Sequence, residues 1–267
     1  MIPAGLRRCL AAYAALVCLL SVAPVLIIVI ESFTASDYVV FPPQGFSLKW
    51  YVEAAQREEF VHSALLSLGI ALVACVIATA LGTLVALALV RFRFPGRRLL
   101  QSLFMAPLSV PGIIFGLALL QFFSAWAIPR ENIAVVIGHI IIALPFAIRF
   151  VTVALLGMVS NVELAAQSLG ANRWDVFRRV TLPLIRPGVV ASLVFAFILS
   201  FDDVAVALFL ATPGGTTLPV RIYSYIDQSY DPLIAAVSAI VVMAAFVSMV
   251  AIERTLGIGR LFGLRQG

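Results

Sequence analysis

The sequence predicts an all-α integral membrane protein with six transmembrane helices and both termini in the cytoplasm. Composition is the first reason. Hydrophobic residues make up 63% of the chain and charged residues only 12%, against roughly 45–50% and 25% in soluble domains. The second reason is the arrangement of the charges, which separate long apolar runs. About 20 apolar residues are enough to cross a bilayer as a helix.

The apolar runs define the six predicted spans. The first run is longer than the roughly 7–15 residue core of a cleaved signal peptide, so we expect an uncleaved first span. The third contains Pro107 and the pair Pro111–Gly112, and prolines within a helix break or bend it. The loops are too short for a separate globular domain, so residues 1–267 are predicted to form one transmembrane domain. The predicted spans are residues 10–30, 63–90, 99–123, 133–155, 188–211 and 233–252.

Orientation follows from the basic residues. With the N-terminus inside, 14 of the 18 lysines and arginines fall on inner segments and four on outer segments. Cytoplasmic loops of membrane proteins carry this excess of positive charge. The sequence therefore predicts that both termini are cytoplasmic. The net charge of +5 reflects this topology and gives no reason to expect nucleic acid as a partner.

A polar segment, residues 156–187, separates the fourth and fifth predicted spans and is cytoplasmic in this topology. Ser160 and Glu163 have the spacing of a capping box, which predicts a short helix beginning there. Gly170 is placed to end that helix with a left-handed turn. The segment is therefore expected to fold rather than to link two spans as an open loop.

A second short helix is predicted directly after this turn. Asn172 is spaced to cap it, with Asp175 at the matching position, and the pair Leu182–Pro183 is expected to end it. The alternative is an amphipathic loop that Trp174 and the nearby arginines anchor at the lipid headgroups. The small residues around the turn favour a docking surface instead, because they allow close backbone approach.

This segment resembles the EAA loop of binding-protein-dependent ABC importer permeases. The loop of that family usually reads Glu-Ala-Ala-x-x-x-Gly, then nine residues, then Ile-x-Leu-Pro. Here Val180 replaces the isoleucine, and Leu164 stands where the glutamate is usual, with Glu163 one position earlier. The resemblance implies that a separate ATPase couples to the chain through Glu163, Ala165, Ala166, Gly170, Val180, Leu182 and Pro183.

Two further stretches are similar to those of spermidine/putrescine-type permeases within this family. They are MAPLSVPGIIFGLALL in the third span and the run from Phe201 to Ser224, which begins FDDV. The resemblance implies the type I importer permease fold and a bacterial inner-membrane location among membrane lipids. It also implies an assembly with two ATP-binding cassette subunits, an extracytoplasmic substrate-binding protein and a second permease subunit, which is either a different chain or a copy of this one.

The chain lacks the residues of a nucleotide site. A P-loop needs a lysine that follows its glycines, and the single lysine, Lys49, follows no such motif. We therefore expect ATP hydrolysis on a partner chain and no enzyme activity in this one. The three cysteines lie in or beside apolar runs without metal-ligand spacing, so no metal or cofactor is predicted.

Asp202 and Asp203 fall deep in the predicted fifth span. Charged residues at such depth are costly and usually face a cavity or a pathway. One interpretation places them on a translocation pathway together with Pro107 and Pro111 of the third span. The other interpretation is a helix-break cap or a hydrogen-bonded pair between subunits. His139 is expected to be a hydrogen-bonded packing residue rather than a proton relay.

Three functions compete. The leading hypothesis is the transmembrane subunit of an ATP-driven importer that forms half of the pathway for a small cationic solute, with a polyamine favoured. The same machine for ferric ion, thiamine or an organic phosphonate is the first alternative. An ATP-independent secondary transporter or channel is the second, and it would leave the polar segment without a purpose. A membrane enzyme is disfavoured because nucleophiles, bases and metal ligands do not cluster in the sequence.

Overall fold

The computed structural model describes residues 4–127, 132–158, 161–212 and 214–256. In these ranges the regular structure is helical, apart from one isolated bridge between Thr34 and Phe46. The α-helices are α1 (Ala4–Glu31), α2 (Lys49–Gln56), α3 (Glu58–Arg91), α4 (Arg97–Met105), α5 (Gly112–Ala125), α6 (Asn132–Leu156), α7 (Asn161–Ser168), α8 (Arg173–Val176), α9 (Leu182–Phe201), α10 (Ala205–Leu210), α11 (Leu218–Gln228) and α12 (Leu233–Leu256).

Long apolar helices account for the predicted spans. Within the described residues, five helices are long and apolar enough to cross a membrane, and a bent pair, Arg97–Ser109 with Gly112–Ala125, makes a sixth if it counts as one span. The chain bends by 108° between the two halves of this pair. Pro107 lies in the 3₁₀ turn Ala106–Ser109 and Pro111 is the N-cap of α5. The predicted break of the third span is therefore confirmed.

The fifth predicted span, 188–211, differs from the prediction at both ends. Its helix begins earlier, because the helical run continues from Arg173 to Phe201. A π-helical turn, Phe177–Thr181, comes directly before α9, and Pro183 lies in the first turn of α9. A proline is tolerated in a first helical turn, so the expectation that Leu182–Pro183 would end the preceding helix was wrong.

The outer end of that span is also broken. Helix α9 stops at Phe201, and α10 starts only at Ala205. Asp202 and Asp203 therefore lie in a short break between two helices and not within one continuous helix. Because they lie in this break, the two aspartates have different neighbours.

The chain divides into two compact units, each described separately. The smaller unit contains the described residues up to Val61 and from Ser224 onward. In it, α1 and α2 both pack against α12.

A network of side-chain hydrogen bonds connects parts of this smaller unit outside the membrane-spanning segments. Arg57 donates to Glu53 Oε1 from Nη2 at 2.5 Å and to the Tyr225 hydroxyl from Nη1 at 3.1 Å. That hydroxyl donates to Asp231 Oδ2 at 2.6 Å. The hydrogen bond to Glu53 raises the pKa of Arg57, and burial followed by the bond to Asp231 raises the pKa of Tyr225. Arg57 therefore stays charged and Tyr225 stays a neutral donor near neutral pH.

In the larger unit, His62–Tyr223, α6 packs against α9 and closely approaches α3. Small residues line these contacts. A Cβ added to Gly188 of α9 would lie 2.5 Å from Cβ of Ala154, and one added to Gly82 of α3 would lie 2.6 Å from Cβ of Ala147. Membrane helices pack closely where small residues let their backbones approach. Helix α6 therefore holds the two neighbouring helices at a fixed separation.

Replacing Gly82 by alanine is expected to lower the free energy of unfolding by about 1–3 kcal/mol, because the new methyl group overpacks the contact with α6. Gly69 of the same helix is the matched control, since a Cβ there meets nothing within 4 Å. Gly69→Ala is expected to be neutral or slightly stabilising. Thermal unfolding of the detergent-solubilised chain measures both variants. Equal midpoints for the two would contradict this packing.

Candidate functional site

The turn after α7 follows the Schellman geometry of a helix C-terminus. The N–H of Ala171 donates to the carbonyl of Ala166 at 3.1 Å, and the N–H of Gly170 donates to that of Gln167 at 2.9 Å. Gly170 has φ +90°, and a Cβ on it would meet nothing within 4 Å. The position therefore needs glycine for its backbone conformation and not for lack of space. The predicted left-handed turn is confirmed.

The helix after this turn is capped as predicted. Asn172 Oδ1 accepts the backbone N–H of Asp175 at 2.9 Å, and Asn172 Nδ2 donates to Asp175 Oδ2 at 2.7 Å. The other predicted cap, Ser160, lies outside the described residues. The segment thus contains two short helices joined at Gly170.

The carboxylate of Glu163 faces its own chain. Its Oε1 accepts from Nη2 of Arg91, the last residue of α3, and from the hydroxyl of Thr181 in the π turn. Arg91 Nη2 also donates to Thr181 Oγ1 at 3.0 Å. The Glu163 side chain is only 23% exposed. The sequence did not reveal this arrangement, because Arg91 lies on a different span.

Other side chains of the same segment are apolar and exposed. Leu164 is 60% exposed, Leu169 is 90% exposed and Trp174 is 66% exposed. Large apolar side chains on an otherwise polar segment mark a surface that another molecule covers. The remaining predicted coupling residues are Ala165, which is exposed, Ala166 and Val180, which are half-buried, and Leu182 and Pro183, which are exposed at the start of α9.

The carboxylate of Asp203 forms hydrogen bonds within the chain. Its Oδ2 accepts the backbone N–H groups of Val206 and Ala207, both at 2.9 Å, and so caps α10. The same oxygen lies 3.4 Å from His139 Nε2. His139 is 1% exposed, and its Nδ1 shares a hydrogen bond of 2.7 Å with Ser200 Oγ. The expectation that His139 is a hydrogen-bonded packing residue is confirmed. Of the two interpretations of the aspartates, the helix-break cap fits Asp203.

Asp202 is exposed and lines a cavity of about 430 Å³. Among the described residues, no side chain pairs with its carboxylate. The wall of the cavity is otherwise apolar apart from Asp203, and the lining consists of Phe195, Ile198, Leu199, Asp202, Asp203, Val204 and Ala205. An unpaired carboxylate on an apolar wall attracts a cation, because few other groups compete for it.

The break in α9–α10 adjoins the break in the third span. A Cβ on Gly112 would lie 3.0 Å from Cβ of Ala205, and one on Gly116 would lie 2.8 Å from the Ala205 carbonyl oxygen. The half-buried Pro107 and exposed Pro111 precede this contact along the chain. Two interrupted spans thus meet beside Asp202. Irregular backbone at membrane depth is tolerated where it is buried in protein or lines a cavity.

Comparison with known proteins gives consistent results. The family described as "Binding-protein-dependent transport system inner membrane component" matches residues 78–256. The chain is 32% identical over 228 residues to the spermidine/putrescine transport system permease protein PotC of Escherichia coli strain K12, covering 85% of this chain and 86% of that protein. It is 34% identical over 229 residues to the putrescine transport system permease protein PotI of the same strain, covering 83% and 81%.

A solved structure shares the fold. A chain of a bacterial alginate ABC transporter, determined in complex with an alginate pentasaccharide-bound periplasmic protein, superimposes with a TM-score of 0.72 at 16% identity. The match covers 94% of this chain and 96% of the other. At that identity the likeness concerns the fold alone.

Proposed function

Because the chain belongs to the family of binding-protein-dependent transport system inner membrane components, we propose that it forms half of the translocation pathway of an ATP-driven polyamine importer. Family membership makes it a multi-pass permease of the bacterial inner membrane and not an enzyme. The two relatives above are named for spermidine and putrescine transport. These solutes are cationic, and the observation that carries the proposal is the unpaired Asp202 carboxylate in the cavity beside two broken spans.

The proposed passage of the solute follows from charge. Asp202 attracts an ammonium group of the solute as it passes the break after α9, while Asp203 keeps the break in shape through α10. Pro107 and Pro111 shape the neighbouring break of the third span, which is followed by Gly112 beside Ala205 of the cavity wall. An anionic solute such as a phosphonate would be repelled at this point.

In this proposal, the ATPase that drives transport docks on the cytoplasmic side of the chain. Both termini and the segment from α7 to the start of α9 face the cytoplasm, in agreement with the basic residues. The exposed surface made by Leu164 of α7 and by Leu169 of the turn that follows it docks on one of two ATP-binding cassette subunits. We call α7 the coupling helix from here on. The pathway is completed by a second permease subunit, and a substrate-binding protein delivers the solute from outside.

Gentle solubilisation followed by co-purification tests the assignment. We expect an ATPase and a second permease chain to co-purify. In proteoliposomes, the complex is expected to hydrolyse ATP faster when its binding protein carries spermidine or putrescine than when the binding protein is empty. Uptake by this chain alone, or a complex stimulated only by a neutral or anionic solute, would overturn the proposal.

A further inference from the structure

Three side chains connect the coupling helix to two spans of the larger unit. Arg91 ends α3, Glu163 lies in the first turn of α7, and Thr181 ends the π turn before α9. Arg91 and Thr181 both donate to Glu163 Oε1, and Arg91 also donates to Thr181. We call this group the inner clamp. Each of its three members contacts the other two, so it joins three helical elements at one point.

The ends of the helices favour this arrangement. A helix C-terminus carries partial negative charge and stabilises a cation, and an N-terminus carries partial positive charge and stabilises an anion. The helix ends therefore stabilise the charges of Arg91 and Glu163 independently of the contact between the two side chains. Thr181 is fully buried, at 0% exposure, so one contact of the carboxylate lies away from water. Hydrogen bonds to charged groups are stronger than neutral ones, and more so where water is excluded.

The coupling helix consequently has two different sides. Glu163 and the half-buried Ala166, three residues apart, lie on the side toward the chain itself, whereas Leu164 of the helix and Leu169 of the turn after it are exposed. The carboxylate is occupied by two intrachain donors, and the exposed surface beside it is apolar. A partner that docks on the outer side would meet leucines and not Glu163.

From these contacts we infer that Glu163 is a positioning residue, which fixes the coupling helix to α3 and to the start of α9 through the inner clamp. The inference rests on the proposed function, since it concerns how movement of a docked ATPase reaches the spans. When the coupling helix moves, the clamp carries α3 and α9 with it. Glu163 is thus not a contact with the ATPase, in contrast to the role that the resemblance to the EAA loop implies.

The test compares charge removal with charge exchange in the complete complex in proteoliposomes. The variants are Glu163→Gln, Arg91→Gln and the exchange Arg91→Glu with Glu163→Arg. Arg93→Gln is the matched control, because it removes an exposed arginine two residues from Arg91 that pairs with no described acidic residue. The readouts are the amount of ATPase that co-purifies, the ATPase rate, and the solute taken up per ATP hydrolysed.

Each single variant is expected to retain the ATPase and to lower uptake per ATP by about fivefold or more, the lower range of energetic coupling between sites. The exchange is expected to recover most of this loss, since it restores an ion pair with its sign reversed. The control is expected to match the wild type. Thr181→Val, which removes one donor and no charge, should give a smaller loss of the same kind.

Two results would overturn the inference. One is a loss of co-purifying ATPase in Glu163→Gln but not in Arg91→Gln, which would make Glu163 a direct contact. The other is an exchange variant as defective as Glu163→Gln although size-exclusion chromatography shows it folded. If a single variant fails to fold, Thr181→Val supplies the same comparison. A wild-type complex without ATP-driven uptake would instead contradict the proposed function, and the inference would fall with it.

Discussion

Replacing Gly170 by valine is expected to lower polyamine uptake about 5–30-fold while the chain stays inserted in the membrane and the complex keeps hydrolysing ATP. Gly170 has φ +90°, a region where a residue with a Cβ is strained by roughly 1–2 kcal/mol. A change of this size alters a conformational equilibrium by about 5–30-fold. Because the Schellman turn sets the angle between α7 and α8, its loss misaligns the coupling helix. Uptake and ATP hydrolysis in proteoliposomes are the two measurements.

Gly96 provides a matched control for this prediction. It also has positive φ, +80°, and a Cβ on it would also meet nothing within 4 Å. It precedes α4, away from the coupling helix in the sequence. Gly96→Val introduces the same kind of backbone strain and is expected to leave uptake per ATP near the wild-type value. Normal uptake in Gly170→Val, or an equal loss in both variants, would show that the turn has no special part in coupling.

The second large effect is expected at the two adjacent aspartates, which should respond differently. Asp202→Asn is expected to raise the KM for spermidine about ten- to a hundredfold, because a hydrogen bond to a charged group contributes about 1.5–3 kcal/mol. Its unfolding temperature should not change, since no described residue pairs with that carboxylate. Asp203→Ala is expected to lower the free energy of unfolding by about 0.5–2 kcal/mol through loss of the α10 cap.

Each of these two variants is the control for the other, because both remove a negative charge from the same break. Uptake kinetics and thermal unfolding are measured on both. An unchanged KM in Asp202→Asn would show that the Asp202 carboxylate does not bind the solute on the pathway. An unchanged unfolding midpoint in Asp203→Ala would contradict the contacts of its carboxylate with Val206 and Ala207.

Local patterns in the sequence predicted much of the fold. Long apolar runs fix the number of spans, since hydropathy is a property of each segment alone. The third span breaks where Pro107 and Pro111 stand, and the left-handed turn falls at Gly170. These features are determined by a few neighbouring residues, and so they can be recognised without the rest of the chain.

Contacts between distant residues could not be predicted in the same way. The clamp of Glu163 depends on Arg91, which precedes it by 72 residues. His139 meets Ser200, 61 residues later. The spacing of neighbouring residues cannot show which side of α7 turns toward α3. The sequence therefore identified the polar segment but not the two residues that surround the Glu163 carboxylate.

The break of the fifth span was one of two interpretations that the sequence left open. The break after Phe201 contains neither glycine nor proline, and the apolar run continues to Leu210. However, aspartate is among the preferred residues for capping a helix N-terminus, and Asp203 precedes α10 in that role. The π turn before Pro183 had no such signal, because a proline in a first helical turn and a proline that ends a helix look alike in sequence.

Site-specific photocrosslinking from position 169 tests whether the segment after α7 contacts the ATPase, because the Leu169 side chain is 90% exposed. A photoreactive residue is placed there in the transporting complex, and another replaces Tyr38, which is 72% exposed between α1 and α2. We expect a covalent adduct with the ATPase from position 169 and none from position 38. An actively transporting complex in which position 169 labels only lipid, or in which position 38 labels the ATPase, would contradict this expectation.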